Sequence, residues 1–208
     1  MCGITGFISF QKEDNSENIL RMMTDKIRHR GPDASNVWCE KKLGVFLGHA
    51  RLSILDLSPS GAQPFKSNSG RYIISFNGEI YNFNELKKKL FVSLKGSSDT
   101  EVLLESIEQF GINKTLEMAK GMFAFALWDN KLKTLNLWRD RMGEKPLYYG
   151  YINKTFYFSS ELKALKEHPK FQTELNFSAL DKYFKYGYIP APLSIYRHIK
   201  KLCPGTYL

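Results

Sequence analysis

Cysteine is scarce in this 208-residue chain. The three present, Cys2, Cys39 and Cys203, are odd in number and far apart, which excludes a disulfide framework. With only four histidines they form no zinc-ligand spacing, so no metal site is expected. Pro 8 and Gly 15 are too few for a collagen-like or linker-like chain. No apolar run approaches the ~20 residues of a membrane helix. The opening MCGITGFISF has no basic segment ahead of an apolar core, so a secretory leader is not expected and the expected compartment is the cytoplasm. A nucleic-acid motif and a basic tail are also missing. The net charge of +9 comes from scattered lysines, and the densest run, 87–89, reads as a solvated helix face. Neither nucleic acid nor a membrane is therefore an expected partner. What is abundant is core: 43% hydrophobic and 14% aromatic residues, with an ordinary 25% charged, which suits one large domain or two small ones.

Alternation and turn signals place strands at 4–10, 36–40, 43–50 and 71–76, with hairpins at 122–138 and 147–159. Asn77-Gly78 is expected to stop the fourth strand. Helical spacing predicts a first helix that opens on an Asp14/Glu17 capping box, carries Ile19, Met22, Met23 and Ile27 on one face, and ends at Gly31-Pro32. Asn82 or Asn84 caps a second, with Leu86 and Leu90. Ser98 and Glu101 frame a third, closed at Gly111. Further helical stretches are read at 113–120, 161–168 and 177–186, and the chain from 187 reads as extended. Hairpins bracketing helices argue for antiparallel sheet covered by helices, an α+β class, over alternating βαβ units. Cys39, beside Trp38, reads as a buried strand cysteine.

The second residue is where chemistry begins. If Met1 is removed, Cys2 owns both a thiol and an α-amine, with reference pKa values near 8.5 and 8. An amine so placed can take the thiol proton, which makes nucleophile and base out of one residue. Gly3 beside it keeps bulk away from an attacked carbonyl. On position alone Cys2 could equally be an unselected cysteine. Asn77-Gly78 is either a plain turn or a side-chain amide and a backbone N–H aimed at one oxygen, the donor pair of an oxyanion hole. Arg51 suits bidentate capture of a carboxylate, or a surface salt bridge. Asp99 is a helix-dipole carboxylate or the partner of a substrate ammonium. If the α-amine is not the base, His29 and His49 are the candidates for that role.

Taken together, MCGITGF, RHRGPD (28–33), HARLSILDLSPSGAQP (49–64), FNGEIYN (76–82), SDTEV (98–102), GMFAFALWD (121–129), RDRMGEKPLYY (139–149), SSELKAL (159–165) and PGTYL (204–208) resemble the glutaminase domain of glutamine-hydrolysing asparagine synthetases. The resemblance spans the chain in the family's order. It implies a four-layer αββα N-terminal-nucleophile hydrolase fold, two antiparallel sheets between helical layers. It implies that Cys2 attacks the side-chain amide of L-glutamine, with Asn77 and the Gly78 N–H as oxyanion hole. Arg51 would hold the substrate α-carboxylate with the backbone of Leu52 and Ile54, and Glu79 and Asp99 its α-ammonium.

The same resemblance implies a partner, a C-terminal synthetase domain that adenylates aspartate with ATP and Mg and receives the ammonia. This sequence shows neither that domain's SGG-type loop nor a Walker A pattern, so no cofactor is expected in this chain. The expected division is a class II amidotransferase domain over 1–190, with 191–208 starting the connection onward. A homodimer of the full-length enzyme is compatible with the family. The readings that stay open are a related amidotransferase acting on another carboxylate, such as a sugar acid, and a non-catalytic interaction domain.

Overall fold

The computed structural model describes residues 1–11 and 15–208. In chain order it holds β1 (Gly3–Ser9), α1 (Ser16–Asp25), β2 (Ala34–Glu40), β3 (Val45–Arg51), β4 (Phe65–Lys66), β5 (Tyr72–Ile80), α2 (Phe83–Lys87), α3 (Asp99–Phe110) and α4 (Ile112–Met118). There follow β6 (Gly121–Asp129), β7 (Thr134–Arg139), β8 (Tyr148–Ile152), β9 (Thr155–Ser159), α5 (Leu162–Leu165), α6 (Phe177–Tyr186) and β10 (Ile199–Lys201). The strands form two antiparallel sheets, one in the order β10-β8-β9-β1-β3-β2 and the other β4-β5-β6-β7.

Side-chain alternation assigns each strand residue to one of three apolar layers. On β1, Ile4 enters the gap between the sheets while Phe7 meets the helices. On β3, Val45 and Leu47 face the gap, and Phe46 and Ala50 the helices. Both faces are buried, which is why these strands read as nearly continuous apolar runs. The outer layer on the six-stranded sheet is α1 with α5, through Ile19, Leu20, Met23, Ala164 and Leu165. The outer layer on the four-stranded sheet comes from α2, α3 and α4, through Leu86, Val102, Leu103, Leu104, Ile107 and Leu116. The result is an αββα sandwich. Phe158 packs so closely on Gly6 that a Cβ there would lie 2.4 Å from its ring, so a glycine of β1 faces a phenylalanine of β9.

Several local expectations are corrected. Met22 is exposed, and Leu20 takes its place on the buried face of α1, because 19, 20, 23 and 27 share a face and 22 lies off it. That helix ends at Asp25, and a separate 3₁₀ turn covers Arg28–Arg30. Asp14 of the expected capping box lies outside the described residues, while Glu17 pairs with Arg21 and Lys41. The strand through Asn77-Gly78 does not stop there: β5 continues to Ile80, paired with β6 throughout. Asn82 precedes α2 without capping it, and instead joins that helix to the connection between α4 and β6 by accepting from the Lys120 N–H and donating to the Met118 carbonyl. The 161–168 segment contains only the single turn of α5. Cys39 is only half-buried, on the edge strand β2, where burial pushes its thiol up to about 11.

The segment 191–208 supplies β10 to the larger sheet, Leu202 to the gap, and Tyr207, which stacks on Trp138 at 4.2 Å. No helix among the described residues is long and apolar enough to cross a membrane.

Candidate active site

At one end of the gap the apolar packing gives way to polar contacts between the sheets. Ser75 Oγ on β5 donates to the Gly48 carbonyl of β3 (3.0 Å), and His49 Nε2 lies 2.9 Å from the Phe76 carbonyl. These two bonds lock β5 against β3 immediately before Asn77. Beyond them opens a pocket whose walls include Cys2, Arg51, Leu52, Ile54, Asn77, Gly78, Glu79 and Asp99. All eight residues singled out in the sequence for the site are thus brought together, from the N-terminus just before β1, from β3, β5 and α3, and from the loop after β3.

Cys2 is held reciprocally by one residue. Its thiol donates to the Leu52 carbonyl (3.6 Å), and the Leu52 N–H donates back to its sulfur (3.4 Å). Burial pushes the thiol above its ordinary value, against the Leu52 N–H, the terminal ammonium and Arg51, which pull it down. A thiol in this state does not ionise unaided at neutral pH and needs a base. Arg30 fixes the Cys2 backbone: its Nε donates to the Cys2 carbonyl (3.0 Å), and its other end pairs with Glu161 (3.0 Å). Burial would raise Glu161, but hydrogen bonds from Arg30, His29 and Lys163 hold it at about 2.

Asn77 is 1% exposed, and its Nδ2 has no hydrogen-bond partner among the described residues. A buried amide donor left unsatisfied carries a penalty of about 1–3 kcal/mol, so its retention beside a nucleophile is informative. Residue parity then orients Gly78. The N–H of Phe76 donates to Gln63 Oε1 (2.7 Å) and that of Ile80 to Asp99 Oδ2 (2.8 Å), both on the edge of β5 away from β6. Gly78 lies midway between them, so its N–H points to the same edge. Side-chain and backbone donors of adjacent residues therefore face the cavity.

Arg51 is buried, not a surface ion-pair partner. Its terminal nitrogens donate to the carbonyls of Ser58 (2.9 Å) and Asp56, and the loop closes over it at Gly61, where a Cβ would lie 2.2 Å from Nη2. Asp56 ties that loop to the segment before α3. Its carboxylate accepts from the Ser58 hydroxyl (2.6 Å) and the Ser97 N–H (3.0 Å), which hold it at about 2. The Ser98 side chain caps the Glu101 N–H (3.2 Å), yet Glu101 reaches upstream to the N–H groups of Lys95 and Gly96 instead of back to its cap. This leaves Asp99 in the first turn of α3, 7% exposed, with burial pushing its carboxyl up.

The two histidines fare differently from each other. His29 is half-exposed and bound to Glu161 (3.0 Å). His49 is fully buried, pushed down to about 4 by burial, and does not line the pocket. It acts as a neutral tie between the sheets. Residues that sequence reasoning missed include Gln63, which also donates to Thr100 (3.2 Å), Met122 and Lys145. A lysine in the loop between two strands carries no periodic signal. Its one visible signal was that it falls within the motif RDRMGEKPLYY.

A family profile described as a glutamine amidotransferase domain matches residues 1–208. The putative asparagine synthetase [glutamine-hydrolyzing] 2 of Methanocaldococcus jannaschii is 41% identical across 97% of this chain, and asparagine synthetase [glutamine-hydrolyzing] 3 of Bacillus subtilis is 38% identical across all of it. The chain spans 42% and 34% of those relatives' lengths. Among solved structures, glutamine phosphoribosylpyrophosphate amidotransferase from B. subtilis, complexed with ADP and GMP, superposes with a TM-score of 0.66 at 22% identity, covering 79% of this chain and 43% of that one. That likeness concerns the fold, and the αββα layering agrees with it.

Proposed function

This chain belongs to the glutamine amidotransferase domain family, and from that premise we propose that it hydrolyses L-glutamine to glutamate and ammonia through a thioester on Cys2, once Met1 has been removed. The observation that carries the reading is the buried, unpartnered Asn77 amide in the same pocket as the thiol. The α-amine of Cys2 takes the thiol proton, and the thiolate attacks the γ-carbonyl carbon. The oxygen, now negative, is received by Asn77 Nδ2 and the Gly78 N–H, donors already in position and already desolvated. As the carbonyl re-forms, the C–N bond breaks, and the nitrogen leaves as ammonia with the proton held by the amine. Water, deprotonated by the same amine, then attacks the thioester and frees glutamate and the thiol.

Arg51, with the backbone of Leu52 and Ile54, holds the α-carboxylate, and Glu79 and Asp99 hold the α-ammonium. The relatives' names point to the use of the ammonia. Within a longer protein it would pass to a synthetase domain that makes asparagine from aspartate, with ATP and Mg bound there. The test is glutamate release from L-glutamine by the Met1-free chain, which should be abolished in Cys2→Ala. Release no faster than from that variant overturns the reading.

A further inference from the structure

The stretch RDRMGEKPLYY takes no part in the chemistry above, yet it is densely bonded. Asp140 is buried; its Oδ1 accepts from the N–H groups of Met142 and Glu144 (3.0 Å each), and its Oδ2 from those of Lys145 and Phe123 (3.1 Å each). From the other side, Arg139 Nε donates to the Lys145 carbonyl (2.8 Å). Lys145 is therefore fixed at both its backbone groups. Its side chain, 4% exposed, lines the pocket with Cys2 and Met1. The ammonium donates to the Met1 sulfur at 2.8 Å, and no carboxylate among the described residues stands within ion-pair distance of it. A thioether is a weak acceptor. A buried cation with so little compensation is unfavourable to keep, and burial accordingly pushes it below the ordinary lysine value.

The sulfur that Lys145 touches is joined, through the Met1 side chain, Cα and carbonyl carbon, to the nitrogen that becomes the α-amine when Met1 is removed. We propose that Lys145 is a positioning residue whose ammonium keeps the α-amine of mature Cys2 in its neutral, proton-accepting form by like-charge repulsion. In the unprocessed chain the same ammonium rests on the Met1 sulfur. The inference rests on the glutaminase reading above, in which that amine is the base.

The charges facing the amine come from every side. Arg30 from the 3₁₀ turn is balanced by Glu161, and Arg51 at the end of β3 is wrapped by loop carbonyls. Asp99 and Glu79, from α3 and β5, are the acids a substrate ammonium would neutralise. Asp140 lies behind Lys145, occupied by four backbone N–H groups, and Glu144 is exposed. Lys145 is thus the cation of this set whose ammonium has neither an ion-pair partner nor a carbonyl acceptor among the described residues, with Asp140, Glu144 and Glu79 acting on it only at longer range. A like charge within about 4–6 Å moves a neighbour's titration by about one pH unit or more.

The test is the pH profile of kcat/KM for glutamine hydrolysis by the Met1-free chain, for wild type, Lys145→Gln and Lys145→Arg. The acid limb should move up by about one unit in Lys145→Gln, giving roughly tenfold less activity at a pH on that limb, and should return in Lys145→Arg. An unmoved limb, or a loss equal at every pH, overturns the proposal. Should Lys145→Gln not fold, nitrogen-15 NMR of the wild-type Cys2 α-amine decides. A titration midpoint below the reference of about 8 supports the proposal, and one at or above it overturns it. An inactive wild type would instead sink the glutaminase reading, so the two failures are distinguishable.

Discussion

The gap between the two sheets has two regions of opposite character. Through its middle, Ile4, Leu47, Ile73, Ala126, Leu137 and Phe158 close on one another as a dry core. At the pocket end, Arg51, Asn77, Asp99 and Lys145 are just as buried, and polar. The middle is satisfied by the fold alone. The pocket end is not: an amide donor has no acceptor, a carboxyl is pushed up, and a lysine rests on a thioether. Stability is generated in one half of the gap and reactivity is stored in the other, so substitutions in the two halves should fail in opposite ways.

The largest effect belongs to the pocket end. Cys2→Ala should remove glutamine hydrolysis completely while circular dichroism and melting stay as in wild type; retained Met1 should do the same, read by mass spectrometry and activity on one preparation. In the middle, Phe158→Ala should lose about 3–5 kcal/mol in denaturant unfolding, because Gly6 offers nothing to fill the cavity. Asn77→Ala should lower kcat by about 10²–10³, roughly 3–4 kcal/mol of barrier, with little change in KM and no loss of stability. A pure KM effect would assign Asn77 to ground-state binding instead.

His49 sits at the border, and its effect is read by pH. Its folded value of about 4 lies below the ordinary 6.5, so the fold favours the neutral ring. That contribution, roughly 3 kcal/mol, is present above pH 6.5 and lost as pH falls toward 4. His49→Gln should flatten stability across that window. The smallest expected effect is at Asp99. Asp99→Asn should weaken glutamine binding about tenfold, measured calorimetrically on a Cys2→Ala background. Because burial raises the folded carboxyl, wild type should lose stability relative to Asp99→Asn as pH rises from 3 to 7. A difference of the opposite sign would mean that the carboxylate stabilises the fold.

The dry half of the gap was largely legible, since apolar alternation states which residues are buried, and the helical stretch read at 177–186 has the bounds of α6 (Phe177–Tyr186). Met22 was misplaced because neighbouring methionines look alike until the packing partner is known. The pocket residues were legible as residue types, but their arrangement was not. Asn-Gly is a turn signal in isolation, and only pairing with β6 (Gly121–Asp129) carries the strand through it. Arg51 could not be told from a surface cation without the loop that closes on it. Lys145 was invisible because its placement depends on Asp140 and Arg139, neither of which announces where the lysine will point.

One feature of the larger sheet bears on how the chain is made. β1 is a central strand, yet its two neighbours are far along the sequence: Thr5 pairs with Gly48 on one side and with Ser159 on the other, and the Ser160 N–H closes on the Ile4 carbonyl at 2.8 Å. During synthesis the first strand to emerge must therefore wait until residue 160 has left the ribosome before its second edge is covered. Met1 nevertheless stays 55% exposed in the folded chain, at the mouth of the pocket, so its removal need not precede the closing of the sheet.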